Sequence, residues 1–369
     1  MTNRRKFIKQ MAAAGLVGSM PSALLSQTQT IQHRGAKEHM IWANLLHLSN
    51  NMWQDHTHVV YDNLPADTYA AEDFEIKSCM DARRWARAYR TSLVFEDKTW
   101  DSILQHMVLQ GMNMVVIDLG DGVKYKSHPE IAVKNAWSTE KLKAEIAKMR
   151  RMGLEPIPKL NFATTHAAWL GEYSRMVSTE KYYTVCKNLI NEVINLFDTP
   201  RFFHLGMDEE TYSHQKQHNY VTIRQGDLWW HDFYMLIEEV EKNNVRPWIW
   251  SDYAWRHPDV FFRKMPKSVL QSNWYYYNPG FDLENLEEPF KTYVGLYNKL
   301  EEHGYDQVPT GSNTANDTNM MDTVNYCKDL VDSSRLKGFM TATWRPTLPA
   351  CLNKHKEAID QVGRAIRSF

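Results

Sequence analysis

The sequence has almost no net charge. Its 369 residues include 43 basic and 44 acidic side chains, which leaves a formal net charge of −1. Nucleic-acid-binding proteins usually carry a basic excess or a basic stripe, and no long block of Lys or Arg follows the first ten residues. The balance argues against a nucleic-acid partner. Hydrophobic residues make up 43% of the chain and aromatic residues 12%, which is enough to bury a large core and excludes a disordered chain.

Paired cysteines are also missing. The four cysteines, Cys79, Cys186, Cys327 and Cys351, are widely spaced, and none belongs to a Cys-x-x-Cys pair. Zinc sites and thiol redox motifs usually contain such pairs. The cysteines therefore predict no zinc site and no redox motif. The leading interpretation includes no metal and no cofactor, and the sequence leaves open whether any two cysteines form a disulfide.

No segment approaches the ~18 uninterrupted apolar residues that a membrane-spanning helix requires. At the N-terminus, Arg4-Arg5-Lys6-Phe7-Ile8-Lys9 precedes a short Ala/Gly-rich apolar stretch, which resembles a twin-arginine signal peptide. We expect residues 1–27 to be this signal, cleaved between about Ser22 and Gln27. The resemblance implies export by the twin-arginine machinery, and a mature protein without a membrane anchor in the periplasm or outside the cell.

The remainder of the chain, residues 38–369, alternates short apolar runs with amphipathic segments, which is typical of βα units around a parallel sheet. Eight such units predict a single-domain (β/α)8 TIM barrel. The predicted strands are Ile41–Leu48, Asn113–Leu119, Glu155–Asn161, Arg201–Asp208, Arg246–Asp252, Val269–Tyr275, Gln307–Ser312 and Gly338–Trp344. An open doubly wound sheet is the alternative, although no Gly-x-Gly-x-x-Gly follows the first strand.

A long insertion, Asn50 to Lys98, follows the first predicted strand and contains His56, His58 and Tyr61. Active sites of such barrels lie at the carboxyl ends of the strands and in the loops that follow them. We therefore expect the insertion to form a lid or rim over the active-site face.

The end of the fourth predicted strand, Phe202 to Glu210, places three consecutive carboxylates, Asp208, Glu209 and Glu210, at this face. Adjacent acids repel each other when ionised, so we expect the pKa of at least one to rise if they are partly desolvated. A carboxylic acid that stays protonated near neutral pH is what a glycosidase needs to protonate a departing glycosidic oxygen.

The segment His204-Leu205-Gly206-Met207-Asp208-Glu209 resembles the His-x-Gly-Gly-Asp-Glu signature of glycoside hydrolase family 20, the β-N-acetylhexosaminidases. The resemblance implies that Glu209 is the general acid/base and that Asp208 orients the substrate's acetamido group, which serves as the nucleophile. It further implies hydrolysis of terminal N-acetyl-β-hexosaminides with retention of configuration, and a carbohydrate substrate.

The chain departs from the family pattern at several positions. Met207 replaces the second glycine, and the first strand lacks the arginine that the family uses to hold sugar hydroxyls. After the third strand a Pro-Gly-His turn is replaced by Phe162-Ala163-Thr164-Thr165-His166, which keeps only the histidine. These departures concern the substrate more than the fold.

Other strand ends supply candidate substrate-binding residues. Aromatic faces wall a sugar ring, and an Asp or Arg binds hydroxyls or an anionic group. His166 would bind a sugar hydroxyl or a carboxylate, and His204 lies earlier on its strand, where it would support the two acids from below. The remaining candidates are Trp250, Asp252, Trp274, Tyr276, Trp344 and Arg345.

Two other function classes remain open. One is a non-catalytic carbohydrate-binding barrel in which the acids have lost their role. The other is a metal-dependent barrel enzyme, with ligands from different strands at His47, His166, His204, Asp208 and Asp252.

Overall fold

The structure is a computed structural model that describes residues 40–58, 68–277 and 280–369. The predicted signal peptide and Tyr61 lie outside these ranges. No helix within them is both long and apolar enough to cross a bilayer.

Eight parallel strands form one sheet in the order β6-β5-β4-β3-β2-β1-β8-β7. The strands are β1 (Ile41–His47), β2 (Met114–Asp118), β3 (Glu155–Lys159), β4 (Phe202–His204), β5 (Arg246–Trp250), β6 (Leu270–Ser272), β7 (Thr310–Gly311) and β8 (Gly338–Ala342). Parallel bridges from Gln271 to Gln307 and from Trp274 to Thr310 join the β6 and β7 sides. The sheet therefore closes into a (β/α)8 TIM barrel, which confirms the predicted fold class.

Helices connect the strands. They are α1 (Cys79–Trp85), α2 (Asp97–Leu109), α3 (Thr139–Arg151), α4 (Glu180–Leu196), α5 (Tyr212–Gln215), α6 (Asp227–Glu241), α7 (Tyr253–Arg256), α8 (Pro258–Lys264), α9 (Phe290–Glu302), α10 (Asn319–Leu330) and α11 (Leu352–Ser368). Ser138 caps α3 by accepting a hydrogen bond from the Lys141 N–H.

Alternate residues of each strand point to opposite sides of the sheet, and both sides are buried. Ala43 and Leu45 of β1 belong to the cluster that fills the barrel, whereas Trp42 and Leu46 pack against the surrounding helices. This arrangement explains why the strands are continuous apolar runs rather than alternating ones.

The insertion after β1 carries α1 and a small core of its own, formed by Tyr69, Trp85, Ala86, Ala88 and Val94. A bridge from Phe95 to Thr347 and a contact with Leu348 attach it to the loop after β8. On the other side, His56 Nε2 lies 2.6 Å from the carbonyl oxygen of Gln217 in the loop after β4. The insertion is thus held at the carboxyl ends of the strands, where function is expected.

Candidate active site

Strand β4 ends earlier than predicted because the backbone after it turns into the left-handed region. Gly206 and Met207 have φ values of 74° and 75°, and Glu209 has a φ of 57°. A side chain at Gly206 would collide with Asn161, so only glycine fits there. Non-glycine residues in this conformation cost of order 1–3 kcal/mol each and persist only where the surroundings hold them.

Three hydrogen bonds from two loops hold this turn. The Met207 N–H donates to Asn161 Oδ1 at 3.3 Å, and the Glu209 N–H donates to Asp252 Oδ2 at 2.8 Å. The Thr165 hydroxyl donates to the Glu209 carbonyl at 2.7 Å. Loops after β3 and β5 therefore fix the backbone that carries the two candidate catalytic acids.

The three consecutive acids point to different partners. Asp208 and Glu209 share His166, whose Nε2 lies 3.2 Å from Asp208 Oδ2 and 3.3 Å from Glu209 Oε2. Glu210 instead forms a buried ion pair with Arg224, at 2.5 Å. Only the first two acids line the cavity described below.

Asp208 is held as a carboxylate. Its Oδ1 accepts a hydrogen bond from Asn161 at 2.8 Å, and its side chain is 7% exposed. Burial acts to raise the pKa of Asp208, but the charge of His166 outweighs it and the pKa lies well below its usual value. Burial conversely acts to lower the pKa of His166, yet the charge of Asp208 raises it to about 10. The expected rise in pKa therefore does not occur at Asp208.

Glu209 is the more accessible acid, with 26% of its side chain exposed. Its Oε1 lies 3.4 Å from Nε2 of His214, on the short helix α5. Glu209 also lies between two cavities, because it lines both the one shared with Asp208 and an adjoining one beside Asp252.

Aromatic side chains wall the cavity that Asp208 and Glu209 share, which has a volume of about 360 Å³. Trp274 and Tyr276 stack with ring centroids 5.0 Å apart. The Tyr276 hydroxyl is buried, and burial raises its pKa well above the usual value. The other lining residues are Trp53, Arg83, Arg87, Thr165, His166, His214, Gln217, Tyr277, Thr314 and Trp344.

The cavity combines predicted and unpredicted residues. His166, Trp274, Tyr276 and Trp344 are among the predicted substrate-binding residues, and the structure brings them together with the two acids. The prediction did not include Trp53, which comes from the insertion and lies beneath the Arg87 guanidinium, 5.5 Å from its ring centroid. The expectation that the insertion forms a rim could have directed attention to it.

Four other predicted binding residues do not line this cavity. His204 is fully buried and accepts a hydrogen bond from the Gly206 N–H at 3.1 Å. Trp250 lies behind Trp344, with ring centroids 6.0 Å apart. The Arg345 guanidinium donates to the carbonyl of Trp344 at 3.1 Å. Asp252 lies behind Glu209 and lines the adjoining cavity of about 300 Å³.

The ends of β2 and β3 carry a second group of buried charged side chains. Asp118 and Lys159 form an ion pair inside the barrel, next to His47. Burial acts to raise the pKa of Asp118, but the charge of Lys159 lowers it. Asp121 accepts a hydrogen bond from Asn51 at 2.8 Å, and burial raises its pKa to about 7. The Asp118–Lys159 pair lies inside the barrel, and the hydrogen bond from Asn51 to Asp121 holds the insertion to the loop after β2.

Three side chains of the site are close enough together to bind a cation. Ligand atoms of His166, Asp208 and Glu209 lie within 4.8 Å of one another. Of the five ligands in the metal hypothesis, only His166 and Asp208 belong to this group. His47 lies against Asp118 instead, with its Nδ1 3.4 Å from Oδ2.

The raised pKa of Asp252 predicts how the stability of the protein depends on pH. Burial and then the charge of Asp208 raise its pKa from an ordinary 3.8 to about 8. The folded protein therefore keeps a proton that the unfolded chain releases, so stability present below about pH 4 is lost as the pH rises to about 8. The variant Asp252→Asn cannot ionise, and we expect its free energy of unfolding to gain a few kcal/mol relative to wild type between those pH values.

Urea unfolding of Asp252→Asn and wild type at pH 5 and pH 8 measures this difference. Asp73, an exposed acid of the insertion, provides the control Asp73→Asn, whose difference from wild type should stay constant. An equally constant difference for Asp252→Asn would contradict the prediction.

No protein-family model matches the sequence, and no curated protein matches it. Solved structures do match its fold. The family 20 β-N-acetylhexosaminidase of Streptomyces coelicolor A3(2) matches with a TM-score of 0.53 and 11% identity, over 88% of this chain and 64% of that one. The chitobiase of Flavobacterium johnsoniae matches with a TM-score of 0.51 and 14% identity, over 74% of this chain and 48% of that one.

The β-N-acetylhexosaminidase of Bacteroides fragilis NCTC 9343 matches with a TM-score of 0.51 and 12% identity, over 87% of this chain and 66% of that one. This chain thus spans about half to two thirds of the length of these three proteins. At such low identity the likeness concerns the fold: the chain has a barrel like that of family 20 glycoside hydrolases.

Proposed function

We propose that the protein is an exported glycoside hydrolase that removes terminal N-acetyl-β-hexosaminides by a substrate-assisted, retaining mechanism. The proposal rests on one observation: Asp208 and Glu209 share His166 in an aromatic-walled cavity.

Cell fractionation tests the export, since the mature chain should be found outside the cytoplasm.

The environments of the two acids favour different roles. Asp208, with its lowered pKa, stays ionised and suits the acceptor of the substrate's acetamido N–H. A carboxylate offers about four acceptor sites, and Asn161 and His166 use two of them, so sites remain for the substrate. Glu209 is more exposed and suits an acid/base that exchanges protons with water.

The proposed reaction has two steps. Glu209 gives its proton to the glycosidic oxygen while the acetamido carbonyl oxygen attacks the anomeric carbon, and the bond to the leaving group breaks. Water then opens the cyclic oxazolinium intermediate, and Glu209 takes a proton from that water. Two displacements at the same carbon give net retention.

Aryl glycosides with and without the 2-acetamido group, in both anomers, test the proposal. We expect turnover only of the N-acetyl-β-hexosaminides, and a decrease in kcat of about 10²–10³ fold in Asp208→Asn, which weakens the charge that faces the acetamido nitrogen. Chelator should leave the activity unchanged. Sugar binding without turnover across the panel would favour the binding barrel, and loss of activity on chelation that a divalent ion restores would favour the metal enzyme.

A further inference from the structure

Two cysteines that are 272 residues apart in the chain meet where the insertion joins the barrel. Cys79 begins α1, and Cys351 ends the turn Pro349–Cys351 that precedes α11. Their sulfur atoms lie 2.6 Å apart. A disulfide needs a separation of about 2.05 Å, so a shift of roughly half an ångström brings them to bonding distance.

The surroundings of this pair favour thiol chemistry. The contact with Cys351, together with the nearby charge of Arg345, lowers the pKa of Cys79 to about 7. A thiol of this kind is substantially ionised at neutral pH and attacks disulfides readily. Arg345, predicted from sequence to bind substrate, is instead placed beside the two thiols.

The other two cysteines provide an internal contrast. Cys186 and Cys327 are fully buried in the main core. Burial raises the pKa of Cys186 to about 12 and that of Cys327 well above its usual value. Buried, protonated thiols are poor nucleophiles.

We propose that Cys79 and Cys351 form a disulfide that fastens the insertion after β1 to the barrel. The oxidant is a small-molecule or protein disulfide. The Cys79 thiolate attacks it, forms a mixed disulfide and releases one thiol of the oxidant. In the reduced protein the contact with Cys79, and then burial, hold the pKa of Cys351 well above its usual value. The mixed disulfide removes the Cys79 thiolate, so Cys351 then loses its proton, attacks the Cys79 sulfur and releases the second thiol of the oxidant. In total, two electrons and two protons pass to the oxidant.

The bond fixes one wall of the candidate active site. Arg83 lies on α1, four residues after Cys79, and lines the cavity that contains Asp208 and Glu209. The small core of the insertion has five buried residues, so a covalent link adds substantially to its attachment. On the proposed function, the reduced protein should have a raised KM with a nearly unchanged kcat.

Thiol counting after oxidation tests the bond without reference to activity. The full-length protein is equilibrated with oxidised glutathione, or reduced, and its free thiols are then titrated in denaturant. Of the four thiols in the reduced protein, we expect two to remain after oxidation, and a non-reducing peptide map to link Cys79 to Cys351. The oxidised protein should also melt several degrees higher than the reduced one.

Single variants identify the pair. Oxidised Cys79→Ser should keep three free thiols, because it lacks the attacking thiol. Oxidised Cys351→Ser should keep two and carry glutathione on Cys79, because no second thiol resolves its mixed disulfide. Neither variant should contain a cross-link within the chain. The control Cys327→Ala should keep one free thiol and the same cross-link. Four free thiols in oxidised wild type, or a cross-link that involves Cys186 or Cys327, would overturn the proposal whether or not the protein hydrolyses glycosides.

Discussion

Replacement of Glu209 by Gln is expected to lower kcat for N-acetyl-β-hexosaminides by about 10²–10⁴ fold, the usual contribution of general acid–base catalysis. The amide keeps the shape of the side chain, and the Glu209 N–H can still donate to Asp252. It has no proton to give to the leaving group. The loss should therefore be largest for substrates with basic leaving groups, and steady-state kinetics across a series of aryl leaving groups measures it.

The adjacent acid provides the matched control. Glu210 makes a buried ion pair with Arg224 and does not line the cavity shared by Asp208 and Glu209. Glu210→Gln should lower the melting temperature but keep most of its kcat below that temperature. Equal losses of kcat in the two variants, or an active Glu209→Gln, would show that Glu209 is not the acid.

Replacement of Arg224 by Met should lower the free energy of unfolding by about 3–5 kcal/mol, because it leaves the buried carboxylates of Glu210 and Asp232 without their positively charged partner. The Arg224 guanidinium contacts Glu210 at 2.5 Å and Asp232 at 3.1 Å, and all three side chains are at most 3% exposed. It also donates to the Phe162 carbonyl at 2.7 Å, which joins the loops after β3 and β4. Denaturant unfolding monitored by tryptophan fluorescence measures the loss.

Arg201→Met is the control for this variant. Arg201 also pairs with a carboxylate, that of Glu155 at 2.6 Å, but the two side chains are 29% and 35% exposed. Exposed pairs contribute at most about 1 kcal/mol. If the two variants lost equal stability, burial of the Arg224 cluster would not be the cause.

Much of the barrel could be predicted from the sequence because each strand is a distinct apolar run. β1, predicted as Ile41–Leu48, is Ile41–His47 in the structure. β4 was predicted to continue to Asp208, but it ends at His204. The pattern of apolar residues gives no information on the backbone angle φ. The left-handed turn at Gly206 and Met207 also depends on a hydrogen bond to Asn161, which is distant in sequence.

The sequence could predict only those residues of the site that lie at the ends of strands. Trp274 and Trp344 follow β6 and β8 and line the cavity. Asp252 follows β5 equally directly, yet its side chain lies behind Glu209. Sequence position gives the edge of the sheet on which a residue lies, and the direction of its side chain depends on the loop. Nothing in the sequence indicated a role for Arg224, because its partners Glu210 and Asp232 lie in separate elements.

The turn at Met207 has a consequence for how relatives of this chain are recognised. Met207 occupies the position of a glycine in the motif it resembles, yet it adopts a φ of 75°, a conformation that glycine reaches without strain. A search that requires glycine at this position rejects the sequence, although the backbone there has a conformation that glycine favours. Backbone torsion angles at this turn are therefore a better search criterion than residue identity for finding chains that fold in the same way.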